Sequence, residues 1–419
     1  MRVFKFGGAS VKDAQGVRNL AHIVQTYNKR LVVVVSAMGK TTNAMEDVVA
    51  AYMKGDRMLL DDRLAMVKSY HEQIIEDLFG PDNDCIAALL QQLADKLATE
   101  PSLDYDFEYD QIVPYGELMS TTIISHYLAS IGLENVWLDV RKLIRTDEVY
   151  RSANVDWPLS TALLNEAVEQ DQHRLFVTQG FIGSTKTNLM TTLGREGSDY
   201  TGAIIAHALT ADRLVIWKDV PGVLNADPRW YPHAQKIDEL SYWEAIELSY
   251  YGAQVIHPKT LKPLQNKQIP LYVKSFVNPE ESGTIIQSSE QPGDLQPIFV
   301  LKANQVLISM SPKDFSFIME ESLSDIFQVF SKHRVRLNMM QTSALNFSVC
   351  VDDSPRVQQA IDALQTHFDV RYNEDMELVT IRHYSDAAIE VILKDKELVD
   401  SQVSRKTARY VLKGSPWNF

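Results

Sequence analysis

The sequence has 419 residues, 45% of them hydrophobic and 23% charged, which is typical of a folded globular protein with roughly two or three domains. The formal net charge of −14 excludes nucleic acid and anionic membranes as main partners, because most of the surface repels them. No apolar run reaches the roughly 20 residues that span a bilayer and no signal-peptide pattern opens the chain, so we expect a cytoplasmic protein.

The first part of the chain alternates apolar strands with helical patterns. A strand pattern at 2–6 is followed by two glycines, a helical pattern and a continuous apolar run at 31–35, an order typical of a right-handed βαβ unit. Similar apolar segments recur at 135–138, 174–177, 213–217 and 270–273. We predict an α/β fold over residues 1–290, an open and mostly parallel sheet sandwiched by helices, with a helical insertion at about 45–112.

A cluster of glycine, serine and proline residues at 282–297 predicts a domain boundary. Strand and helix patterns then follow in the order βαββαβ over about 305–375, the order of a ferredoxin-like module. The rest of the chain has strand-like segments at 378–382, 388–393 and 407–412 without a clear helix. Residues 297–304 and 376–419 are therefore predicted to form a shortened second copy of the module.

Two turns that follow apolar strands carry groups suited to anions. The Gly7-Gly8 pair allows backbone N–H groups to approach phosphate oxygens, and Lys5 precedes it on the same strand. Taken alone, Lys5 is equally well explained as a solvated surface charge. In the next turn, the hydroxyls of Ser36 and Thr42 lie at the carboxyl end of a strand, where open α/β sheets bind ligands, although helix capping explains Thr42 as well.

Three further segments carry charges at predicted helix starts or in turns. Glu117 begins a helical pattern, where a glutamate usually complements the helix dipole. Arg195 and Ser198 lie in a glycine-containing loop before a helix, a place that binds anions, and Asp199 beside them is suited to orienting a lysine. The turn-rich loop at 217–229 fits either a nucleotide contact or a simple change of direction.

The segments together resemble the aspartate kinases of the amino acid kinase family. The matching motifs are Lys-Phe-Gly-Gly-Ala-Ser-Val at 5–11, Ser-Ala-Met-Gly-Lys-Thr-Thr-Asn at 36–43, Gly-Glu-Leu-Met-Ser at 116–120, the Gly-Arg-x-Gly-Ser-Asp-Tyr-Thr loop at 194–201, Asp-Val-Pro-Gly at 219–222 and Tyr-Gly-Ala-x-Val-Ile-His-Pro at 251–258. The resemblance covers nearly all of residues 1–290. Beyond residue 297 a looser resemblance is to the ACT domains that regulate these enzymes.

The resemblance implies transfer of the ATP γ-phosphate to the β-carboxylate of L-aspartate, with Mg²⁺, as the first step of lysine, threonine and methionine biosynthesis. Lys5 would neutralise the charge of the transferred phosphoryl group, and Asp199 would orient the Lys5 side chain. In the aspartate site, Glu117 would bind the ammonium group and Arg195 the α-carboxylate, together with Ser36, Thr42 and Ser198. The implied nucleotide-binding residues are Gly7, Gly8, Ser10, Lys218, Asp219, Arg229 and Gln254. No set of metal-binding side chains is expected, because phosphates would hold the ion.

Four residues depart from the commoner family pattern. Glu196 replaces a glycine, Lys218 a threonine, Leu224 a tyrosine and Gln254 a lysine. Because one cation is lost at 254 and one is gained at 218, we interpret this pair as a compensated exchange on the nucleotide side.

The resemblance also implies feedback by lysine or threonine at the ACT-like region, and a homodimer formed through it. Two alternatives remain. One is a catalytically silent amino-acid sensor, which the retained Lys5, Arg195 and Asp199 argue against. The other is a kinase of glutamate, acetylglutamate, carbamate or uridylate, which Glu117, Arg195 and the ACT-like extension argue against.

Overall fold

The computed structural model describes residues 1–253, 256–289, 296–314, 316–414 and 417. Gln254 and part of the predicted boundary at 282–297 lie outside the described residues. The chain divides into two compact units. The first comprises Met1–Val223, Lys236–Ile246 and Val255–Glu290, and the second comprises Leu224–Gln235, Glu247–Gln254 and Gln291–Phe419.

The first unit is built on an eight-stranded sheet and a small two-stranded one. The strands are β1 Arg2–Phe6, β2 Leu31–Val35, β3 Val136–Leu138, β4 Leu175–Gln179, β5 Ile182–Ser184, β6 Met190–Thr192, β7 Arg213–Lys218, β8 Glu239–Ser241, β9 Leu271–Ser275 and β10 Thr284–Gln287. The large sheet has the order β3-β4-β2-β1-β7-β9-β10-β8, and among the described strands only β9 and β10 pair antiparallel. The mostly parallel sheet that the sequence predicts is confirmed.

Helices flank this sheet, and a group of them occupies residues 41–112. The helices are α1 Ala14–Gln25, α2 Thr41–Lys54, α3 Arg57–Phe79, α4 Ala87–Leu97, α5 Tyr105–Ile112, α6 Tyr115–Ser130, α7 Trp157–Glu169, α8 Gly197–Ala208, α9 Tyr242–Tyr251 and α10 Pro258–Asn266. Helix α9 begins in the first unit and ends in the second. In the described part of the chain, no helix has both the length and the hydropathy that crossing a bilayer requires.

The central strands end together at one edge of the sheet. Phe6 pairs with Val35 and with Trp217, and Val35 pairs with Gln179, so the turns that follow β1, β2, β4 and β7 meet there. The first two turns touch directly. A Cβ at Gly8 would lie 2.6 Å from the carbonyl oxygen of Ala37, a distance that only glycine avoids. This edge is where ligands bind in open α/β sheets.

The second unit contains a six-stranded antiparallel sheet. Its elements are β11 Ile298–Pro312, α11 Glu320–Lys332, β12 Leu337–Thr342, β13 Phe347–Asp352, α12 Pro355–Leu364, β14 Phe368–Arg382, α13 Asp386–Leu393, β15 Lys396–Val403 and β16 Thr407–Gly414. The strand order is β12-β13-β11-β14-β16-β15. Strands β11 and β14 are 15 residues long, and register shifts between Lys302 and Leu307 divide their pairing into two stretches.

The prediction of a strand at 388–393 is wrong, because Asp386–Leu393 is helix α13. The Ser385 side chain accepts a hydrogen bond from the Ala388 N–H and caps this helix. Ile392 is buried and packs in the core of this part of the sheet, with Ile389 partly buried beside it. A short apolar run has no clear period, so the serine cap was the signal that separates helix from strand here.

Candidate active site

A cavity of about 390 Å³ opens in the first unit. Its walls contain both predicted catalytic residues, Lys5 and Asp199. They also contain all five residues predicted to bind the substrate: Ser36, Thr42, Glu117, Arg195 and Ser198. These residues come from β1, the turn after β2, and the starts of α2, α6 and α8, so the sheet edge assembles them. The individual roles assigned to them stay predictions.

Lys5 and Asp199 form a buried ion pair in this cavity. Lys5 Nζ lies 2.6 Å from Asp199 Oδ1, and Lys218 Nζ lies 3.9 Å from Oδ2 of the same carboxylate. Lys5 is 8% exposed and Asp199 is 4% exposed. Burial opposes ionisation, but the charges of Lys5 and Lys218 outweigh it and lower the pKa of Asp199. The carboxylate is therefore ionised at neutral pH and fixes the position of the Lys5 ammonium.

Helix α8 begins earlier than the sequence predicts, and this brings its first turn into the cavity. The sequence predicts that Ser198 lies in a loop before the helix, whereas the helix begins at Gly197 and includes Ser198 and Asp199. A Cβ at Gly180, just after β4, would lie 2.5 Å from the Ser198 Cβ. Glycine at this position therefore allows the first turn of α8 to approach the strand end.

Glu117 is buried without a counter-charge among the described residues. It is 2% exposed, its Oε1 accepts a long hydrogen bond of 3.4 Å from the Ala37 N–H, and its Oε2 has no hydrogen-bond partner in the described structure. Burial raises its pKa to about 8. A buried carboxyl group that lines a cavity and has one oxygen without a partner is suited to a ligand that brings a cation or a hydrogen-bond donor.

Arg195 is exposed and lines the same cavity, in the loop just before α8. The next residue, Glu196, has φ 55° and ψ 28°, a left-handed conformation that explains why glycine is common at this place in the family pattern. Its Oε2 accepts a hydrogen bond of 2.9 Å from the His257 N–H, which offsets the strain. His257 itself caps α10, because its Nδ1 accepts a hydrogen bond from the Lys259 N–H.

The predicted nucleotide-binding residues that the structure describes lie outside the lining of this cavity. Gly7, Gly8 and Ser10 form the turn after β1, and Lys218 and Asp219 follow β7 at the same sheet edge. Arg229 belongs to the second unit, where it forms an exposed ion pair with Asp227. Gln254 lies outside the described residues. The nucleotide roles therefore stay predictions.

Four cavity residues were not found from the sequence: Tyr109, Arg151, Phe181 and Thr192. Arg151 has φ 62° and stacks over the Tyr109 ring at 4.5 Å. Asp110, which does not line the cavity, holds Arg151 and Thr192 in position. It accepts hydrogen bonds from the Arg151 N–H at 3.0 Å, the Thr192 N–H at 2.8 Å and the Thr192 hydroxyl at 2.7 Å. Burial raises the pKa of Asp110 to about 6, and these hydrogen bonds offset the shift only in part.

Asp110→Asn is expected to loosen this wall. An amide turns one accepting oxygen into a donor that faces an N–H or hydroxyl donor, so the free energy of unfolding should fall by about 1–3 kcal/mol. The KM for L-aspartate, the substrate that the resemblance implies, should rise severalfold because Thr192 and Arg151 shift. Urea unfolding and initial rates measure both effects. Asp106→Asn is the matched control, since Asp106 is exposed and bonds only the outer face of Arg151; equal effects in both variants would contradict the expectation.

Comparison with known proteins identifies the group to which this architecture belongs. The family model of the amino acid kinase family matches residues 1–275, about two thirds of the chain. This chain is a member of the amino acid kinase family. The match covers every residue that lines the cavity.

Within the amino acid kinase family, its relatives are aspartokinases. The lysine-sensitive aspartokinase 3 of Escherichia coli is 34% identical over 361 residues, covering 84% of this chain and 78% of that protein. A chloroplastic bifunctional aspartokinase/homoserine dehydrogenase 2 of Arabidopsis thaliana is 32% identical over 385 residues, covering 87% of this chain and 42% of that protein. The resemblance that the motifs predict is confirmed.

Solved structures of Escherichia coli aspartokinase III have the same fold. The complex with lysine and aspartate superimposes with a TM-score of 0.82 at 29% identity, covering 98% of this chain and 95% of that one. The complex with aspartate and ADP gives a TM-score of 0.80 at 29% identity, covering 99% and 96%. The similarity therefore includes the antiparallel sheet as well as the amino acid kinase domain.

Proposed function

We propose that this chain is an aspartate kinase that transfers the γ-phosphate of ATP to the β-carboxylate of L-aspartate and forms 4-phospho-L-aspartate. The observation that carries the proposal is one cavity that joins the buried Lys5–Asp199 pair to the Glu117 carboxyl group and the Arg195 guanidinium. The relatives are aspartokinases, and one neighbouring structure holds aspartate together with ADP.

In this proposal the cavity holds aspartate by its two non-reacting charges. Glu117 binds the ammonium group and Arg195 the α-carboxylate, while Ser36, Thr42 and Ser198 complete the site. The remaining β-carboxylate is directed towards Lys5. Its ordinary pKa is about 3.9, so it is already an anion at pH 7 and no catalytic base is required. Catalysis then consists of alignment and neutralisation of the charge on the transferred phosphoryl group.

The nucleotide would lie beside the turns after β1 and β7. Backbone N–H groups near Gly7 and Gly8 and the first turn at Ser10 are suited to its phosphates. The described residues contain no group of three or more metal-ligating side chains. Mg²⁺ would therefore be bound mainly by phosphate oxygens, as is common for this ion. The ion would supply positive charge that neutralises the phosphates of bound ATP.

Trapping of the acyl phosphate with hydroxylamine tests this function. The enzyme is incubated with ATP, Mg²⁺ and one acceptor at a time: L-aspartate, L-glutamate, N-acetyl-L-glutamate or uridylate. Hydroxamate formed with L-aspartate well above the others is the expected result. Hydroxamate with glutamate or acetylglutamate only, or ADP release with uridylate only, would assign another reaction of the family. No product with any acceptor would identify a silent sensor.

Lys218→Thr is expected to raise the KM for ATP severalfold, because it removes the cation that we interpret as replacing the one missing at Gln254. The KM for L-aspartate should change little, since the Lys5–Asp199 pair remains. Initial rates at varied ATP measure the effect. Adding Gln254→Lys to Lys218→Thr should restore the KM. An unchanged KM for ATP in the single variant would reject the compensated exchange.

The second unit would be the regulatory part of the enzyme. Its sheet and helices are consistent with ACT-like modules, and one neighbouring structure is a complex with lysine as well as aspartate. We infer feedback by lysine or threonine at this unit, a homodimer formed through it, and a reaction that takes place in the cytoplasm. Light scattering measures the oligomeric state, and rates in the presence of each amino acid measure the feedback.

A further inference from the structure

The second unit contains a cavity of its own, of about 270 Å³. It lies among β12, β16, the end of β15 and the last turn of α9. Aromatic and apolar side chains form much of its wall, among them Tyr250, Tyr251, Met339 and Met340, and two amide and two hydroxyl side chains line the rest beside Arg409. Among the described residues that line this cavity, Arg409 carries the one formal charge.

Arg409 is buried, and no described carboxylate pairs with it. It is 7% exposed. Its Nη2 donates a hydrogen bond of 2.7 Å to the Asn338 carbonyl oxygen, its Nε donates one of 3.4 Å to Thr380 Oγ1, and the guanidinium lies 5.1 Å from the centre of the Tyr251 ring. Its Nη1 makes no hydrogen bond with any described residue. A buried cation with only neutral partners is electrostatically unsatisfied.

The charges nearby do not supply the missing anion. Lys302 Nζ donates to Asn338 Oδ1 at 2.7 Å, and the exposed Arg336 guanidinium lies 5.9 Å from the Tyr250 ring, so both add positive charge. The nearby acidic groups have other partners: Asp352 Oδ1 accepts hydrogen bonds from the Gln305 and Asn338 side chains, and Glu247 pairs with Arg382 at 3.3 Å. The cavity therefore has an excess of positive charge inside a chain that is acidic overall.

We propose that this cavity binds a small monocarboxylate with an uncharged body. The carboxylate would accept hydrogen bonds from the guanidinium of Arg409, whose planar donor group matches its geometry. The body of the ligand would pack against the two tyrosines and the two methionines, whose flexible side chains adapt to different shapes. A ligand that carries a cation, such as lysine, is disfavoured because no described acidic side chain lines the cavity to receive it.

The walls of the cavity are held together by contacts that a ligand would extend. Gln402 Nε2 donates to the Met340 carbonyl oxygen at 3.0 Å, so β15 is tied to β12 although these are the two edges of the sheet. Arg409 ties β16 to β12 in the same way through Asn338. A carboxylate on Arg409 would add a third bonded partner at the place where these strands meet.

Calorimetric titration of the full chain without ATP tests the proposal. The probes are 4-methylpentanoate and 4-(methylsulfanyl)butanoate, each beside its own carboxamide, together with L-lysine. We expect at least one of the two acids to bind in the millimolar range or tighter, and its carboxamide and L-lysine to bind at least about tenfold more weakly. Failure of both acids to bind, or equal binding of acid and carboxamide, would overturn the proposal. This test needs only the wild-type protein.

Two variants locate the site. Arg409→Gln should weaken binding of the acid at least about tenfold, whereas Arg405→Gln should not, because Arg405 is exposed in the turn between β15 and β16 and does not line the cavity. If Arg409→Gln fails to fold, Arg409→Lys keeps the charge and loses the planar pair of donors, and weaker binding is again expected. Unchanged binding in the folded variant would overturn the assignment to this cavity. The measurement uses no turnover, so its result does not depend on the proposed kinase reaction.

Discussion

Lys5→Met is expected to lower kcat by about a thousandfold while the dissociation constant for L-aspartate changes by no more than about threefold. The ammonium of Lys5 is the buried cation that Asp199 holds in the cavity at 2.6 Å. Its charge acts on the phosphoryl group as that group moves, whereas aspartate is held by other residues. Hydroxamate formation measures kcat, and calorimetry measures aspartate binding. A fall in kcat of less than tenfold would contradict the role assigned to Lys5.

The same variant leaves the Asp199 carboxylate buried with only Lys218 nearby, at 3.9 Å. Removal of one partner of a buried pair typically costs about 3–5 kcal/mol, so the loss of activity needs a control for stability. Lys5→Met combined with Asp199→Asn removes both charges. We expect the free energy of unfolding to recover in this double variant and kcat to stay low. Recovery of kcat together with stability would show that Lys5 acts only by supporting the fold.

Glu117→Gln is expected to raise the KM for L-aspartate about a hundredfold, because the buried carboxylate is the group proposed to bind the substrate ammonium. The wild-type protein should also show a pH dependence that the variant lacks. Since the pKa of Glu117 is about 8 in the free protein, its carboxyl group is mostly protonated at pH 7. Affinity for aspartate should therefore rise up to tenfold per pH unit as the pH approaches 8, and level off above it.

The free energy of unfolding should change with pH in the opposite direction to the affinity for aspartate. The folded pKa of Glu117 lies above its unfolded value of about 4.3, so the protonated group favours the folded state and stability falls as the pH rises from about 4.3 to 8. Glu117→Gln removes the free-energy cost of ionising this buried group. The variant should therefore stabilise the ligand-free protein at pH 8 by a few kcal/mol, as the size of the pKa shift implies. Urea unfolding at several pH values measures it. If the variant binds aspartate normally and is no more stable than the wild type, Glu117 neither binds the substrate ammonium nor has a raised pKa.

Much of the site was predictable because it depends on strand ends. An apolar strand followed by glycines or hydroxyls indicates the edge of a parallel sheet, and such edges converge. Lys5 and Ser36 meet in one cavity for that reason, and the first turn of α8 brings Asp199 to them. The sequence also carries the motif around Glu117, but its isolation from counter-charges is a property of packing, which periodicity does not reveal.

Other features depend on contacts between distant segments and were missed. Arg151 and Thr192 enter the cavity wall only because Asp110, from a helix far away in sequence, bonds to both. The sequence predicts a strand at α13 because an apolar run of this length fits either structure, and the cap at Ser385 favours the helix. The tie between the edge strands through Gln402 is likewise invisible in the sequence.

The two long strands of the second unit explain how its carboxyl-terminal half can be so short. In β11, Ile298–Lys302 pairs with Leu378–Arg382 of β14, whereas Gln305–Pro312 pairs with Phe368–Met376. The two halves of the sheet therefore share β11 and β14 as their central strands. Because each long strand contributes to both halves, each half needs fewer residues of its own. Neither half is a separable part, and a break in either strand would dismantle both together.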